Sequence, residues 1–167
     1  MNICILEEKR KDERRTALIP KDISILKKKF PKWNFYIEPS LKRIVPDKGY
    51  YNVGCKKYIS QKIDLFISIK EISVTKIKKN QNYLMFSHTI KGQKQNLPLL
   101  KKMLNNDCSL IDYELFKTKE GKRVIGFGWY AGIVGCYLTL SKILKIKNII
   151  NQNPQINDLI LQIKKAQ

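Results

Sequence analysis

A chain of 167 residues with 43% hydrophobic residues is long and apolar enough for one domain with a core, or for such a domain with a trailing element. No apolar run approaches the roughly 20 residues of a membrane-spanning helix, and the N-terminus lacks a signal-peptide pattern, so we expect a cytoplasmic protein without a membrane partner. The net charge of +19 suits an anionic partner, but its lysines are spread over the whole chain and no nucleic-acid motif appears, so nucleic acid is not the expected partner.

The first half of the chain alternates apolar runs with helix signals. After the first apolar run, residues 7–15 are almost wholly charged, and most of them are expected to form a solvated loop. Pro20 suits a first helical turn, and Pro31 stops the helix that it begins. The predicted elements are a strand at 2–6, a helix at 20–30, a strand at 34–37, a short helix at 46–53 capped by Gly54, and a short strand at 57–59.

The second half of the chain contains three stronger strands. The run Leu65-Phe66-Ile67 is apolar on both faces, as a central parallel strand would be. A helix that starts near Asn96 is expected to turn Leu99, Leu100, Met103 and Leu104 toward the core. The predicted elements are strands at 64–69, 83–87 and 110–112, a β-hairpin turn at 119–122, a helix at 131–146, and a last amphipathic helix after Pro154.

Strands that alternate with helices predict an α/β fold, namely a three-layer Rossmann-like domain with a mostly parallel sheet, a small β-hairpin and C-terminal helices. Ligands in such sheets bind beyond the carboxyl ends of the strands. Lys70, His88 and Asp112 each follow or close a predicted strand at its carboxyl end. The sequence therefore predicts an active site at that edge of the sheet.

Two readings stay open for each of the leading candidates. A partly desolvated Lys70 can act as a base near neutral pH, or it can be a strand-end lysine that points into water. His88, the only histidine, is either an acid–base group or a structural residue. Lys91 and Gln93 offer donors for a substrate carboxylate. Arg15 could clamp a carboxylate, or it could be one charge among many.

Residues 126–131 match the pattern G-x-G-x-x-A between a predicted strand and a helix, which is the form of a dinucleotide fingerprint. Phe127, Trp129 and Tyr130 crowd this loop. No acidic residue follows about 20 positions later to hold a ribose. We therefore expect no dinucleotide site there. No C-x-x-C pair accompanies the single histidine, so no zinc site is expected either.

Several motifs resemble one known group of enzymes. Residues 13–20 (ERRTALIP) resemble the E-x-R-x-A-L-x-P signature of alanine dehydrogenases, transhydrogenases and lysine-forming saccharopine dehydrogenases. Residues 69–71 (IKE) are similar to a strand-end Lys-Glu that all three share. Residues 86–93 (FSHTIKGQ) resemble the F-A-H-x-x-K-x-Q segment of saccharopine dehydrogenase, and residues 112–114 and 121–132 extend that match.

The resemblance implies an NAD-dependent oxidoreductase of lysine biosynthesis. In that family, saccharopine is oxidised at its secondary amine and hydrolysed to lysine and 2-oxoglutarate. Lys70 matches the base that takes the amine proton, and His88 matches the acid–base group of the hydrolysis. The other matching positions are Arg15, Gln93 and Phe127 for substrate contact, Lys91 for a carboxylate, and Glu71 and Glu114 for moderating the charge of Lys70.

Two departures from the family pattern shape the expected organisation. Lys122 stands where the family usually has an arginine that touches NAD. The family's Rossmann domain is not seen in the sequence, so NAD is expected to bind mainly to a separate subunit. We expect a substrate domain at residues 1–147 and a linker with a helix at 148–167. The alternative is a non-catalytic or regulatory module that binds lysine, 2-oxoglutarate or another amino acid.

Overall fold

Six strands of the described residues form one parallel sheet in the computed structural model. The structure describes residues 1–90 and 92–146, the last three of them through their backbone alone, so the helix predicted after Pro154 lies outside it. The chain divides into two units, residues 1–122 and residues 123–167, which are described separately.

The strands are β1 (Asn2–Ile5), β2 (Asn34–Ile37), β3 (Lys56–Lys57), β4 (Leu65–Ile67), β5 (Asn82–Met85) and β6 (Ser109–Asp112). Their order across the sheet is β3-β2-β1-β4-β5-β6, and all five pairings are parallel. The order reverses between β1 and β4, where open sheets of this type place their ligands. The predicted α/β class with a parallel sheet is confirmed.

The helices of the first unit are α1 (Pro20–Lys29), α2 (Asp47–Asn52) and α3 (Leu97–Asn105), and the second unit contains α4 (Gly128–Ile146). Pro20 occupies the first turn of α1 as expected, and the Asp22 carboxylate accepts a hydrogen bond from the backbone N of Ile19 at 3.0 Å. Gly54 follows α2 with a φ of 80°, which only glycine adopts readily, so it ends that helix as predicted. No helix among the described residues has the length and apolar character needed to cross a membrane.

The core lies on both faces of the sheet, because alternate strand residues point to opposite sides. On one face Cys4, Phe66 and Met85 pack with Leu99 and Met103 of α3. The opposite face holds Ile3, Ile5, Phe35, Ile37 and Ile67 with Ile23 of α1 and Tyr50 of α2. The expected three layers are therefore present.

The inward orientation predicted for Leu104 is wrong, since this side chain is 68% exposed. Leu99 and Met103 lie four residues apart and share the buried face of α3. Leu104 is one position further round the helix and turns into solvent.

The turn predicted at 119–122 is present. Thr118 N donates to Lys122 O at 2.8 Å, and Gly121 adopts a φ of 78°. Before this turn the chain forms a short 3-10 helix over Tyr113–Leu115, so Leu115 is helical and does not extend a strand.

Candidate active site

The carboxyl ends of β1, β4 and β5 continue side by side beyond the strands. Leu6 N donates to Ile67 O at 2.9 Å, and Phe86 N donates to Ile69 O at 2.9 Å. These bonds keep the segments after the strands in register. Lys70 and His88 consequently follow neighbouring strands at one edge of the sheet, as the sequence predicts.

His88 is held by a carboxylate from the neighbouring segment. Its Nδ1 lies 3.1 Å from Oε2 of Glu71, and both side chains are half-buried. A carboxylate at Nδ1 favours the tautomer with its proton there, which leaves Nε2 to exchange protons with a substrate. The backbone of His88 has a φ of 52°, a region that a non-glycine residue adopts only when its surroundings hold it. Sequence reasoning assigned Glu71 to Lys70, whereas the structure gives it a direct contact with His88.

Asp112 binds both Ser87, the residue before His88, and the backbone of Glu114. It is 3% exposed, and its carboxylate accepts hydrogen bonds from Ser87 N at 3.3 Å, from Ser87 Oγ, and from Glu114 N at 2.9 Å. Ser87 Oγ also lies 2.7 Å from Oγ1 of Thr89. Asp112 therefore fixes the residue before His88 and the position of Glu114.

Lys70 is half-buried at the end of β4. Its backbone is held on both sides, because Glu8 Oε2 accepts from Lys70 N at 3.0 Å and Ser68 Oγ donates to Lys70 O at 2.8 Å. Within the described residues its ammonium makes no ion pair. The geometry thus offers a lysine with an anchored backbone beside the imidazole–carboxylate pair.

Most of residues 7–15 are exposed, as the sequence predicts, but two glutamates are exceptions. Glu8 is 5% exposed and Glu13 is 8% exposed. A run of charged residues predicts a solvated loop as a whole and does not show which of its residues are buried. The signal that could have found Glu8 is its place directly beyond the carboxyl end of β1.

Glu13 and Arg15 form a bidentate ion pair. Arg15 Nε and Nη2 donate to the two carboxylate oxygens at 2.8 and 2.6 Å, and Arg15 N donates to Oε1 at 3.0 Å. These hydrogen bonds hold the pKa of Glu13 below its usual value, against the opposing effect of burial, and the positive charges of Arg15 and Lys70 add to the lowering. The guanidinium therefore has a fixed orientation. A substrate-binding role for Arg15 stays a prediction.

Glu13→Gln is expected to make the protein less stable at neutral pH but not in acid. Because the folded-state pKa of Glu13 is lowered, its stabilising effect is present above the unfolded pKa and is lost as the pH falls through the folded value. Arg15 is 48% exposed, so solvent screening limits the difference to about 1 kcal/mol at pH 7. Urea unfolding of both proteins between pH 7 and pH 3 measures it. The exposed Arg10–Asp12 pair supplies the control variant Asp12→Asn, and an equal loss at every pH would contradict the assignment to ionised Glu13.

Four further residues are predicted for the site, namely Lys91, Gln93, Lys122 and Phe127. Lys91 lies outside the described residues. Gln93 is half-buried and immediately precedes the short 3-10 helix Lys94–Asn96. Lys122 is exposed at the end of the turn, and Phe127 belongs to the second unit. The roles of these four residues stay predictions. No group of three potential metal ligands occurs among the residues that the structure describes.

The loop at residues 126–131 does not fit a dinucleotide by itself. A cradle for a pyrophosphate needs glycine backbone open to close approach at a helix N-terminus. Neither Gly126 nor Gly128 has a positive φ, and a Cβ at Gly126 would lie 3.3 Å from Cδ of Arg123. The Arg123 side chain therefore covers the first glycine.

Two solved structures share the fold of this chain. An L-alanine dehydrogenase superposes with a TM-score of 0.62 at 18% identity, over 73% of this chain and 35% of that one. A transhydrogenase from Sinorhizobium meliloti superposes with a TM-score of 0.65 at 14% identity, over 84% and 43% of the respective chains. At these identities the likeness defines the fold alone, an α/β domain of the Rossmann type.

The family model "Alanine dehydrogenase/PNT, N-terminal domain" matches residues 4–134, and the chain belongs to that family. It is 39% identical over 138 residues to the alpha-aminoadipic semialdehyde synthase of Arabidopsis thaliana, and 35% identical over 125 residues to that of Rattus norvegicus. It is 29% identical over 136 residues to the saccharopine dehydrogenase [NAD(+), L-lysine-forming] of Candida glabrata.

The matched regions are small parts of these relatives. They cover 78%, 74% and 77% of this chain, but 13% of each of the two synthases and 36% of the saccharopine dehydrogenase. The family resemblance seen in the motifs is confirmed, and the family is of the dehydrogenase type.

Proposed function

We propose that this chain is the substrate-binding half of a saccharopine-dehydrogenase-type oxidoreductase, whose substrate is lysine joined to 2-oxoglutarate through a secondary amine. The observation that carries the proposal is that Lys70 and the His88–Glu71 pair follow two neighbouring parallel strands, β4 and β5, at the same edge of the sheet. Proton transfer at an amine and at the carbon–nitrogen double bond derived from it requires two such groups. A relative that forms L-lysine with NAD(+) supports the same chemistry.

The two groups have separate tasks in this proposal. Lys70 takes the proton of the substrate's secondary amine. In the hydrolysis, water supplies an oxygen to the carbon of the C=N bond and protons to its nitrogen, which releases an amine and a carbonyl compound. Nε2 of His88 carries protons between the water and the nitrogen, while Glu71 at Nδ1 stabilises the charged imidazole. Glu114, held by Asp112, adds a negative charge near this edge.

We assign recognition of the substrate's carboxylates to side-chain hydrogen-bond donors that lie outside the strands. Arg15 offers a planar guanidinium whose orientation Glu13 fixes, and Gln93 offers a side-chain amide. Lys91 supplies a further positive charge. Since the loop at residues 126–131 does not fit a dinucleotide, we assign that cofactor mainly to a Rossmann-domain subunit, with Lys122 as the contact from this chain.

Calorimetry with saccharopine, followed by an assay with a candidate NAD-binding subunit, tests the proposal. The full chain is expected to bind saccharopine alone, and to form NADH from NAD and saccharopine only with the partner. Absence of both binding and NADH production would overturn it. His88→Asn serves as the site variant and is expected to lower turnover. Lys62→Met changes an exposed lysine in the segment before β4 and is expected to have no effect.

The lack of fit between a dinucleotide and the loop at residues 126–131 favours one second candidate. A non-catalytic module that binds lysine, 2-oxoglutarate or another amino acid needs no cofactor. Tight binding of one of these ligands, with no NADH formed in the presence of any candidate partner, would support this alternative instead.

A further inference from the structure

Glu8 is a buried carboxylate that the proposed chemistry does not use. Its two oxygens accept hydrogen bonds from consecutive backbone amides, Ile69 N at 2.7 Å and Lys70 N at 3.0 Å. The bonds join the segment after β1 to the segment after β4, more than 60 residues along the chain. Burial raises the pKa of the Glu8 carboxyl, an effect that these two hydrogen bonds oppose.

The backbone of Glu8 is anchored as well. Lys42 Nζ donates to the backbone oxygen of Glu8 and to that of Arg10, the latter at 2.7 Å. A carboxylate whose own main chain is fixed can in turn fix the amides that it contacts. Within the described residues the Glu8 carboxylate makes no ion pair, and it accepts hydrogen bonds from the two amides that follow β4.

The peptide of Lys70 is held from its other side by Ser68. Ser68 is buried, and its Oγ donates to Lys70 O at 2.8 Å. Both backbone polar groups of Lys70 are thus bonded to side chains. A strand would bond them to a neighbouring strand. Because a lysine side chain has four rotatable bonds, the place of its ammonium depends strongly on a fixed backbone.

We infer that Glu8 is a positioning residue of the site, which together with Ser68 fixes the backbone of Lys70 so that its side-chain amino group faces the bound substrate. The inference rests on the proposed function. Only a carboxylate presents two acceptors to two adjacent amides, since a glutamine would turn an NH2 group toward one of them. Glu8 acts through Lys70 and does not contact the substrate.

A matched control exists at the opposite edge of the same pair of strands. Asp64 Oδ2 accepts from Asn2 N at 2.7 Å, so it is also a carboxylate that joins the β1 segment to the β4 segment through a backbone amide. Asp64 is exposed and precedes β4, whereas Glu8 lies beyond the carboxyl ends. Asp64→Asn therefore reports the general cost of losing such a bond.

The experiment uses the full chain in four forms: native, Glu8→Gln, Ser68→Ala and Asp64→Asn. Amide hydrogen exchange measures the protection of Ile69 N and Lys70 N. Acetylation followed by mass spectrometry measures how strongly saccharopine shields Lys70, with the exposed lysines as internal standards. Thermal unfolding shows that each variant is folded.

In Glu8→Gln we expect exchange at one or both amides to accelerate about tenfold, the effect of losing one charge-assisted hydrogen bond. The saccharopine concentration that half-shields Lys70 should rise by about the same factor. Ser68→Ala should raise it less, and Asp64→Asn should leave both measurements unchanged.

The possible failures are distinguishable. No shielding of native Lys70 would overturn the proposed function, and with it the role of Glu8 in that site. Shielding that is native-like in both Glu8→Gln and Ser68→Ala would overturn the inference alone. If Glu8→Gln does not fold, Ser68→Ala decides, because it removes the other side-chain bond to the backbone of Lys70.

Discussion

Lys70→Met is expected to lower kcat by about 10²–10⁴-fold when the chain is assayed with NAD, saccharopine and an NAD-binding partner. Methionine keeps the length and apolar stem of lysine but cannot accept a proton. The backbone bonds of Lys70 to Glu8 and Ser68 do not involve the replaced atoms, so the fold should be unchanged. Saccharopine affinity should fall much less than turnover, because the lost contact acts mainly on the reacting amine.

Steady-state kinetics over a range of pH measure this effect. Lys62→Met is the control, since Lys62 is an exposed lysine that precedes the same strand. A Lys70→Met enzyme with native kcat would contradict the assignment of the base.

Asp112→Ala is expected to reduce the free energy of unfolding by about 3 kcal/mol or more, because buried donors lose their acceptor. Ser87 N, Ser87 Oγ and Glu114 N all donate to this carboxylate. Ser87 is fully buried and has no access to water as a replacement partner. The loss should also release His88 from its left-handed backbone conformation and so lower activity.

Urea unfolding gives the size of the change. Asp112→Asn, which keeps the shape and one carbonyl acceptor, should lose less stability than Asp112→Ala. Asp12→Ala provides the surface control, because its pair with Arg10 is exposed. Equal stability of native and Asp112→Ala proteins would show that Asp112 does not hold these segments.

Local patterns were sufficient to predict most of the fold. Alternating apolar runs and helix signals predicted the six strands and the helices of the first unit. Prolines and glycines, such as Pro20 at the start of α1 and Gly54 after α2, mark where several of these elements begin or end. The parallel sheet then placed Lys70 and His88 together, since parallel strands finish at one edge. Both residues were found from that rule and from the family motifs.

Partners that depend on contacts between distant segments could not be predicted. The burial of Glu8 follows from bonds to residues 61 and 62 positions away, and its place beyond the first strand does not by itself show which amides it contacts. The pairing of His88 with Glu71 depends on how the segments after β4 and β5 lie against each other. Leu104 was misplaced because the helical period alone does not define how wide the buried face is.

The place of β1 in the sheet affects the order in which the protein can assemble on the ribosome. β1 precedes the other five described strands in the sequence, yet it lies between β2 and β4 in the sheet. One of its edges can pair once residues 34–37 have been made, but the other stays open until residues 65–67 emerge. In a nascent chain, one edge of this apolar strand therefore stays open while the residues between β2 and β4 are synthesised. The many lysines of the chain repel neighbouring chains during that interval.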